Sequence, residues 1–112
     1  MKIGIDIQDT KRMKTIIGTS KMARIFSERE LEYLESKNFA LQSVAGLYCA
    51  KEAYFKALGT GIAHSKLNSV EVLHDERGAP YLEVNSEKCE ADKITLSISH
   101  TQGIAVAVCV VS

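Results

Sequence analysis

The chain has 112 residues, of which 14 are basic and 14 acidic, so we expect one domain over residues 1–112 and no nucleic-acid binding through bulk charge. No stretch is long and apolar enough to span a bilayer, and Asp6 falls where a signal peptide would need apolar residues. The three cysteines form no C-x-x-C pair and suit buried thiols in a reducing compartment, so we predict a cytoplasmic protein without a membrane partner.

The N-terminal segment predicts a strand followed by a short helix. Residues 2–8 alternate between isoleucine and small or polar side chains, which is typical of a half-buried strand. Its polar face combines Asp6 with a glycine, so we expect open space beside that acid. A short helix at about 9–17 follows, for which Asp9 is an N-terminal acid.

Two further helices are predicted in the first half of the chain. Residues 27–30 read Ser-Glu-Arg-Glu, which matches the capping box and predicts a helix to about residue 36. Residues 40–58 are apolar nearly all round, contain no proline and end at Gly59. This pattern predicts a long, buried helix with a glycine cap.

The second half of the chain is rich in predicted strands. Residues 69–74 and 80–84 flank a turn at 75–79 and form a hairpin, and residues 94–99 alternate cleanly. Residues 104–111 are apolar on both faces, so we expect helices to cover one face and a neighbouring subunit the other. The predicted class is α+β, with an antiparallel sheet packed on one long and two shorter helices.

The long helix carries Glu52 and Lys56 four residues apart and therefore on one face. Glu52 falls among apolar neighbours, where a carboxylate is costly to bury unless a cation holds it. With Asp6 on the first strand, this gives two oxygen donors and a lysine, which suits magnesium shared with a phosphate substrate. The alternative is a core helix with one ion pair at its solvated edge.

Other polar segments occur at the ends of predicted elements. The backbone of Gly59-Thr60-Gly61 and the Thr60 hydroxyl can hydrogen-bond a phosphate, although a glycine cap also explains this motif. Ser99-His100-Thr101 ends a strand at the rim of the sheet, where a single histidine is more often a packing residue than a ligand.

The first 24 residues carry a local excess of positive charge that a solvated helix face or an acidic partner would explain. The basic residues that we consider for such a partner are Lys11, Arg12, Lys14, Lys21 and Arg24.

Five segments together carry a resemblance that covers essentially the whole chain. They are Gly4-Ile5-Asp6, residues 26–30 (Phe-Ser-Glu-Arg-Glu), residues 50–62 (Ala-Lys-Glu-Ala-x-x-Lys-Ala-Leu-Gly-Thr-Gly-Ile), residues 78–81 (Gly-Ala-Pro-Tyr) and residues 97–101 (Ser-Ile-Ser-His-Thr). In this order and spacing they resemble the phosphopantetheinyl transferase family in its short form. The segment at 50–62 is highly specific and the others support it.

The resemblance implies a reaction that moves 4′-phosphopantetheine from coenzyme A to a serine of acyl carrier protein, in support of fatty acid biosynthesis. It implies Asp6 and Glu52 as magnesium ligands, Lys56 as a pyrophosphate contact, and these three as the catalytic residues. The implied coenzyme A site comprises Lys56, Gly59, Thr60, Gly61, Pro80, Ser99, His100 and Thr101. The family's short members are homotrimers with active sites between subunits.

The chain departs from the family pattern at two positions. Asp9 stands where a glutamate is usual, and Leu47 stands where an arginine is usual. Lys51 and Lys66 are alternative substitutes for that arginine in holding coenzyme A phosphates.

Two other functions and one mechanistic question stay open on the residues alone. One rival is a non-catalytic module that binds nucleotides or an acidic protein, and the other is a magnesium-dependent phosphohydrolase with water as the nucleophile. Within the transferase reaction, either Glu52 or a water on the metal could accept the serine proton.

Overall fold

The structure is a computed structural model that describes residues 1–59, 64–84, 87–88 and 93–112. Its α+β class is the one predicted. The elements, in chain order, are β1 (Lys2–Asp9), a 3-10 helix (Thr10–Thr15), α1 (Lys21–Ile25), α2 (Glu28–Ser36), α3 (Leu41–Leu58), a second 3-10 helix (His64–Ser69), β2 (Val70–His74), β3 (Pro80–Val84), β4 (Glu87–Lys88), β5 (Ile94–Thr101) and β6 (Ile104–Val111).

The strands form two antiparallel sheets, whereas the sequence predicted one. The larger sheet has the order β1-β6-β5 and the smaller sheet the order β2-β3-β4. The hairpin between β5 and β6 pairs Thr101 with Ile104 across a tight turn. Gly103 has a φ of 76° in this turn, a left-handed conformation that glycine adopts without a steric penalty.

Local hydrogen bonds explain where the short helices begin. Asp9 accepts from the backbone N–H of Lys11 at 2.9 Å and caps the first 3-10 helix, which lies within the range predicted for a short helix. Both hydrogen bonds of the predicted capping box are present between Ser27 and Glu30. The sequence did not predict α1, which has only five residues and begins without a side-chain cap.

Helix α3 lies directly on the larger sheet. It ends at Gly59, whose φ of 73° closes the helix with a hydrogen bond from its N–H to the carbonyl of Lys56. The contact with the sheet is built from small side chains that let helix and strands approach closely. They include Ala45, Cys49 and Ala53 of α3 and Ala105, Ala107 and Cys109 of β6, all fully buried.

The larger sheet and α3 come closest to each other at Gly4 of β1. A Cβ atom at this position would lie 1.9 Å from the carbonyl oxygen of Ala53 and 2.6 Å from the amide nitrogen of Ala57. The prediction of open space beside Asp6 on this face is therefore wrong, because the backbone of α3 occupies that space.

Strand β1 is half-buried as predicted, and the face turned to α3 is the one that carries Asp6. Ile3, Ile5 and Ile7 point the other way and are 60%, 60% and 64% exposed. Their ladder partners on β6 are Val110, Val108 and Val106, so the exposed face of the sheet is apolar along β1 and β6. Within the described part of the chain, no helix has both the length and the apolarity to cross a membrane.

Candidate active site

Asp6 and Lys56 meet where β1 crosses the C-terminal half of α3. The Lys56 ammonium donates to Oδ1 of Asp6 at 3.0 Å and to the carbonyl oxygen of Ile5 at 3.1 Å. Asp6 is buried, whereas Lys56 is exposed. The lysine therefore brings a positive charge from solvent to the edge of a buried carboxylate.

Glu52 lies one helical turn before Lys56 and is only 2% exposed. Its side chain lies close to that of Tyr48, four residues earlier on the same helix face, and shifts the pKa of that tyrosine. Burial raises the pKa of Tyr48 to about 12, and the charge and hydrogen bond of Glu52 contribute to this rise, as does the charge of Asp6. Glu52 and Asp6 therefore both lie close enough to Tyr48 to raise the pKa of its phenol.

The pKa of Cys49 also shows that Asp6 and Glu52 lie near each other. Burial raises the pKa of its thiol to about 12, and the charge and hydrogen bond of Asp6 and the charge of Glu52 add to this rise. Its Sγ also lies 3.4 Å from the carbonyl oxygen of Ala105. A raised pKa disfavours the thiolate at neutral pH, as is typical of a buried structural cysteine.

The second oxygen of Asp6 is held by Gln8, for which no role was predicted. Nε2 of Gln8 donates to Oδ2 of Asp6 at 2.9 Å, and Oε1 of Gln8 accepts from Nη1 of Arg12 at 2.9 Å. The sequence pattern that could have indicated this contact is the two-residue period of the strand, because residues two apart lie on the same face.

The donor set of this site fits magnesium. Asp6 and Glu52 come from separate elements, are both buried, and have a lysine beside them. The described residues contain no group of three or more His, Cys, Asp or Glu side chains that could hold a metal ion. A two-carboxylate set is what magnesium uses when waters and substrate phosphates complete its shell.

Three of the residues predicted for coenzyme A line neighbouring cavities at one end of α3. Pro80 and His100 lie in a cavity of about 180 Å³ together with Leu47 and His74. His100 also lines a cavity of about 450 Å³ with Thr101. The structure therefore brings Pro80, His100 and Thr101 together.

The other residues predicted for coenzyme A lie elsewhere. Gly59 is exposed at the end of α3, while Thr60 and Gly61 lie outside the described residues. Ser99 is exposed and pairs with Val106, which places it on the outward, apolar face of the sheet. It lines neither of the two cavities around His100.

Lys51 cannot replace the arginine that is usual at Leu47, so this alternative is wrong. Its Nζ lies 2.7 Å from Oε1 of Glu30, and both side chains are 0% exposed. It also donates to the carbonyl oxygens of Leu67 and Val70. Burial lowers the pKa of Lys51 and raises that of Glu30, and their mutual attraction opposes both shifts. The side chain of Lys66 lies outside the described residues.

The basic side chains near the N-terminus lie on the first 3-10 helix and on α1, and all of them are exposed. They are Lys11, Arg12, Lys14, Lys21 and Arg24. Arg12 also belongs to the hydrogen-bond chain that reaches Asp6 through Gln8. The basic surface and the buried carboxylates are therefore neighbours.

Comparison with known proteins identifies the family. The family model of the 4′-phosphopantetheinyl transferase superfamily matches residues 2–109. A holo-[acyl-carrier-protein] synthase from Clostridium tetani is 42% identical over 113 residues, which cover 94% of this chain and 90% of the relative.

Two solved structures extend the likeness to the fold. The holo-(acyl-carrier-protein) synthase from Bacillus anthracis in complex with CoA (3′,5′-ADP) gives a TM-score of 0.83 at 37% identity, covering 98% of this chain and 94% of that chain. The holo-[acyl-carrier-protein] synthase from Helicobacter pylori in complex with coenzyme A gives a TM-score of 0.80 at 33% identity, covering 98% and 99%.

Proposed function

Because the chain belongs to the 4′-phosphopantetheinyl transferase superfamily, we propose that it transfers 4′-phosphopantetheine from coenzyme A to a serine of apo-acyl carrier protein. The other product is adenosine 3′,5′-bisphosphate. The observation that carries this proposal is the buried pair Asp6 and Glu52, with Lys56 3.0 Å from Asp6. Two solved relatives were determined with coenzyme A or its nucleotide portion.

In the proposed reaction the serine oxygen forms a bond to the pyrophosphate phosphorus that carries pantetheine. The bond from that phosphorus to the bridging oxygen breaks, its electron pair leaves with adenosine 3′,5′-bisphosphate, and the serine proton passes to Glu52 or to a water molecule. Negative charge grows on the phosphoryl oxygens and the leaving phosphate. Lys56 lies at the surface end of the site, where its ammonium can stabilise this charge.

Asp6 and Glu52 would hold magnesium in this site, and the ion would supply neutralisation of the pyrophosphate charge. Oδ1 of Asp6 accepts a hydrogen bond from Lys56, so the same carboxylate would contact both the ammonium and the ion. Burial of both carboxylates strengthens their attraction for a cation because little water screens their charge.

We place part of coenzyme A in the cavities around His100. Pro80 and Leu47 give the smaller cavity an apolar wall, and His100 and Thr101 give the larger one polar groups. Gly59, Thr60 and Gly61 come three to five residues after Lys56 in the sequence, and the family resemblance assigns them to the same coenzyme A site. Leu47 contributes apolar contact here and no charge.

We assign carrier recognition to the exposed basic residues of the first 3-10 helix and α1. Acyl carrier protein is an acidic partner by the resemblance, and complementary charge speeds association and fixes orientation. Arg12 connects this surface to the Asp6 carboxylate through Gln8, so docking there would bring the carrier close to the catalytic residues.

We also propose that three copies of the chain assemble through the outward face of the larger sheet. Ile3, Ile5 and Ile7 are more than half exposed, and Ile104 is 43% exposed. A contiguous apolar face of this kind marks an interaction surface, and the family resemblance selects three copies. Ser99 shares this face, so a coenzyme A site that includes Ser99 would lie between subunits.

The experiment that tests this function is incubation with coenzyme A, magnesium and apo-acyl carrier protein, followed by mass spectrometry of the carrier. The transferase adds the mass of one phosphopantetheine group to the carrier. A phosphohydrolase would cleave coenzyme A and leave the carrier mass unchanged, and a binding module would change neither. Either of these two results would contradict the proposal.

A further inference from the structure

Gln8 joins the basic surface to the buried carboxylate through two hydrogen bonds. Its Nε2 donates to Oδ2 of Asp6 and its Oε1 accepts from Nη1 of Arg12, both at 2.9 Å. Gln8 is itself buried, with 9% of its surface exposed, whereas Arg12 is exposed. The chain of contacts therefore runs from solvent to the site in two steps.

The amide of Gln8 can make both bonds because it carries a donor and an acceptor. A carboxylate such as Asp6 can only accept and a guanidinium such as Arg12 can only donate, so the residue between them must donate at one end and accept at the other. The two partners also fix the orientation of the amide, with its nitrogen toward Asp6. Each bond has one charged partner, which makes it stronger than a neutral hydrogen bond.

The consequence for Asp6 is that both of its oxygens are held. Lys56 contacts Oδ1 from α3, and Gln8 contacts Oδ2 from the same strand. The plane of the carboxylate is therefore set by groups on two different elements. A metal that shares this carboxylate meets it in a fixed orientation and does not have to order it on binding.

On this basis we propose that Gln8 is a positioning residue that couples the carrier-docking surface to the metal carboxylate. An acidic group of the carrier that binds Arg12 holds its exposed side chain in place. Through Gln8 this also fixes Asp6, so carrier and metal each improve the binding of the other. The inference rests on the proposed function, because it requires the carrier to dock at Arg12 and magnesium to bind at Asp6.

The coupling can be measured without turnover. In the absence of coenzyme A, the dissociation constant of apo-acyl carrier protein is determined by calorimetry with and without saturating magnesium at constant ionic strength. We expect magnesium to tighten carrier binding to the wild-type protein about fivefold or more, since coupling factors of this kind typically start near fivefold.

The test variant is Gln8→Met, which keeps the length of the side chain and removes both hydrogen bonds. We expect the effect of magnesium on carrier binding to fall below about twofold, as coupling is lost when the connecting bonds are lost. Gln8→Glu is the second variant, should Gln8→Met fail to fold. It keeps the acceptor for Arg12 but cannot donate to Asp6, and it should lose the coupling as well.

Two arginine variants on the docking surface provide a matched comparison. Arg12→Met should weaken carrier binding and also remove the effect of magnesium. Arg24→Met should weaken carrier binding and keep that effect, because no hydrogen bond links Arg24 to Gln8 among the described residues. A purely structural role for Gln8 would lower the unfolding temperature and leave the effect of magnesium unchanged.

The possible outcomes separate this inference from the proposed function. Wild-type transfer activity combined with equal magnesium effects in wild type and a folded Gln8 variant would overturn the coupling and leave the function standing. A wild-type protein whose carrier affinity does not respond to magnesium would overturn the coupling in the same way. A wild-type protein that transfers no phosphopantetheine would overturn both.

Discussion

Glu52 is buried, with 2% of its surface exposed, on the helix face that also carries Tyr48. Together with Asp6 it is proposed to hold magnesium, whose positive charge would offset the cost of burying the carboxylate. Glu52→Gln keeps the shape and gives a poor magnesium ligand, so kcat/KM should fall by two orders of magnitude or more, about 3 kcal/mol of transition-state stabilisation.

The measurement for Glu52→Gln is steady-state transfer monitored by carrier mass, with circular dichroism to show that the variant is folded. Glu32→Gln is the matched control, because Glu32 is exposed on α2, and it should keep wild-type activity. Near-normal turnover of a folded Glu52→Gln protein would contradict the role of Glu52 as a metal ligand.

Lys56 has a different proposed role, because its ammonium faces solvent and donates to Oδ1 of Asp6, which is a proposed magnesium ligand. Lys56→Ala should raise the KM for coenzyme A by about tenfold or more, the effect of losing a hydrogen bond to a charged group. The magnesium concentration needed for half-maximal activity should stay the same or fall, since Oδ1 of Asp6 is no longer shared.

Lys56→Arg is the control for charge at this position and should recover part of the loss. Initial rates measured over a grid of coenzyme A and magnesium concentrations separate the two effects. Impaired magnesium binding with an unchanged KM for coenzyme A would mean that the assigned roles are reversed.

Among the helices and strands, the sequence predicted those that carry a local signal. The capping box of α2, the glycine cap of α3 and the alternation of β1 and β5 each depend on residues close together in the chain. Helix α1 lacks such a signal, because it is five residues long and its cap makes no side-chain hydrogen bond.

The sequence did not predict contacts between distant elements. Alternation shows that β1 has two faces, but only the approach of α3 to Gly4 decides that the face of Asp6 is the buried one. Residue types and the family resemblance together predicted one site for Asp6, Glu52 and Lys56, whereas the hydrogen bond from Lys56 to Asp6 and the link through Gln8 required the folded chain. Lys51 was misassigned because its partner, Glu30, is far away in sequence.

The ion pair of Glu30 and Lys51 connects α2 and α3 and extends to β2. Oε2 of Glu30 accepts from the N–H of Val72 at 2.8 Å, and Lys51 donates to the carbonyl of Val70. Lys51→Met leaves the carboxylate buried without its cation, so the free energy of unfolding should fall by about 3–5 kcal/mol.

Adding Glu30→Gln to Lys51→Met removes the unpaired charge and should restore part of the lost stability. Urea unfolding of the wild type, the two single variants and the double variant gives the interaction energy directly. If the losses of the single variants simply add in the double variant, the pair does not act as a unit.

For the whole molecule, the uneven distribution of charge predicts different salt responses for the two substrates. The chain has no formal net charge, yet Lys11, Arg12 and Lys14 are exposed together on one 3-10 helix. Salt screens exposed charges over about 8 Å at physiological ionic strength. The KM for the carrier should therefore rise with ionic strength much more than the KM for coenzyme A.

Steady-state kinetics at several concentrations of sodium chloride, with each substrate varied in turn, measures both responses. Reversing one charge with Lys14→Glu should raise the KM for the carrier at low salt and weaken its salt dependence. Equal salt dependence for the two substrates would exclude the basic surface as the docking site.

The exposed apolar face of the larger sheet predicts that the active protein is an oligomer, and the family resemblance selects a trimer. Ile5 lies at the centre of this face, is 60% exposed, and pairs with Val108 of β6. Burying an isoleucine side chain contributes about 1.5–3 kcal/mol, and closed symmetry repeats that contribution in every subunit. Ile5→Glu replaces it with a carboxylate that would be desolvated without a partner. The variant should therefore be a monomer without transfer activity, because Ser99 lies on the same face and its neighbours across the interface would be lost.

Light scattering coupled to size-exclusion chromatography gives the mass, and the carrier assay on the same fractions gives the activity. Ser36→Glu is the matched control, since Ser36 is exposed at the end of α2, away from the sheet, and it should remain an active trimer. If the wild-type protein has a monomer mass at micromolar concentration and full activity, both the assembly and the shared site are wrong. If Ile5→Glu is a monomer and still active, the face assembles the subunits but each subunit holds a complete site, because activity would then not require a neighbour.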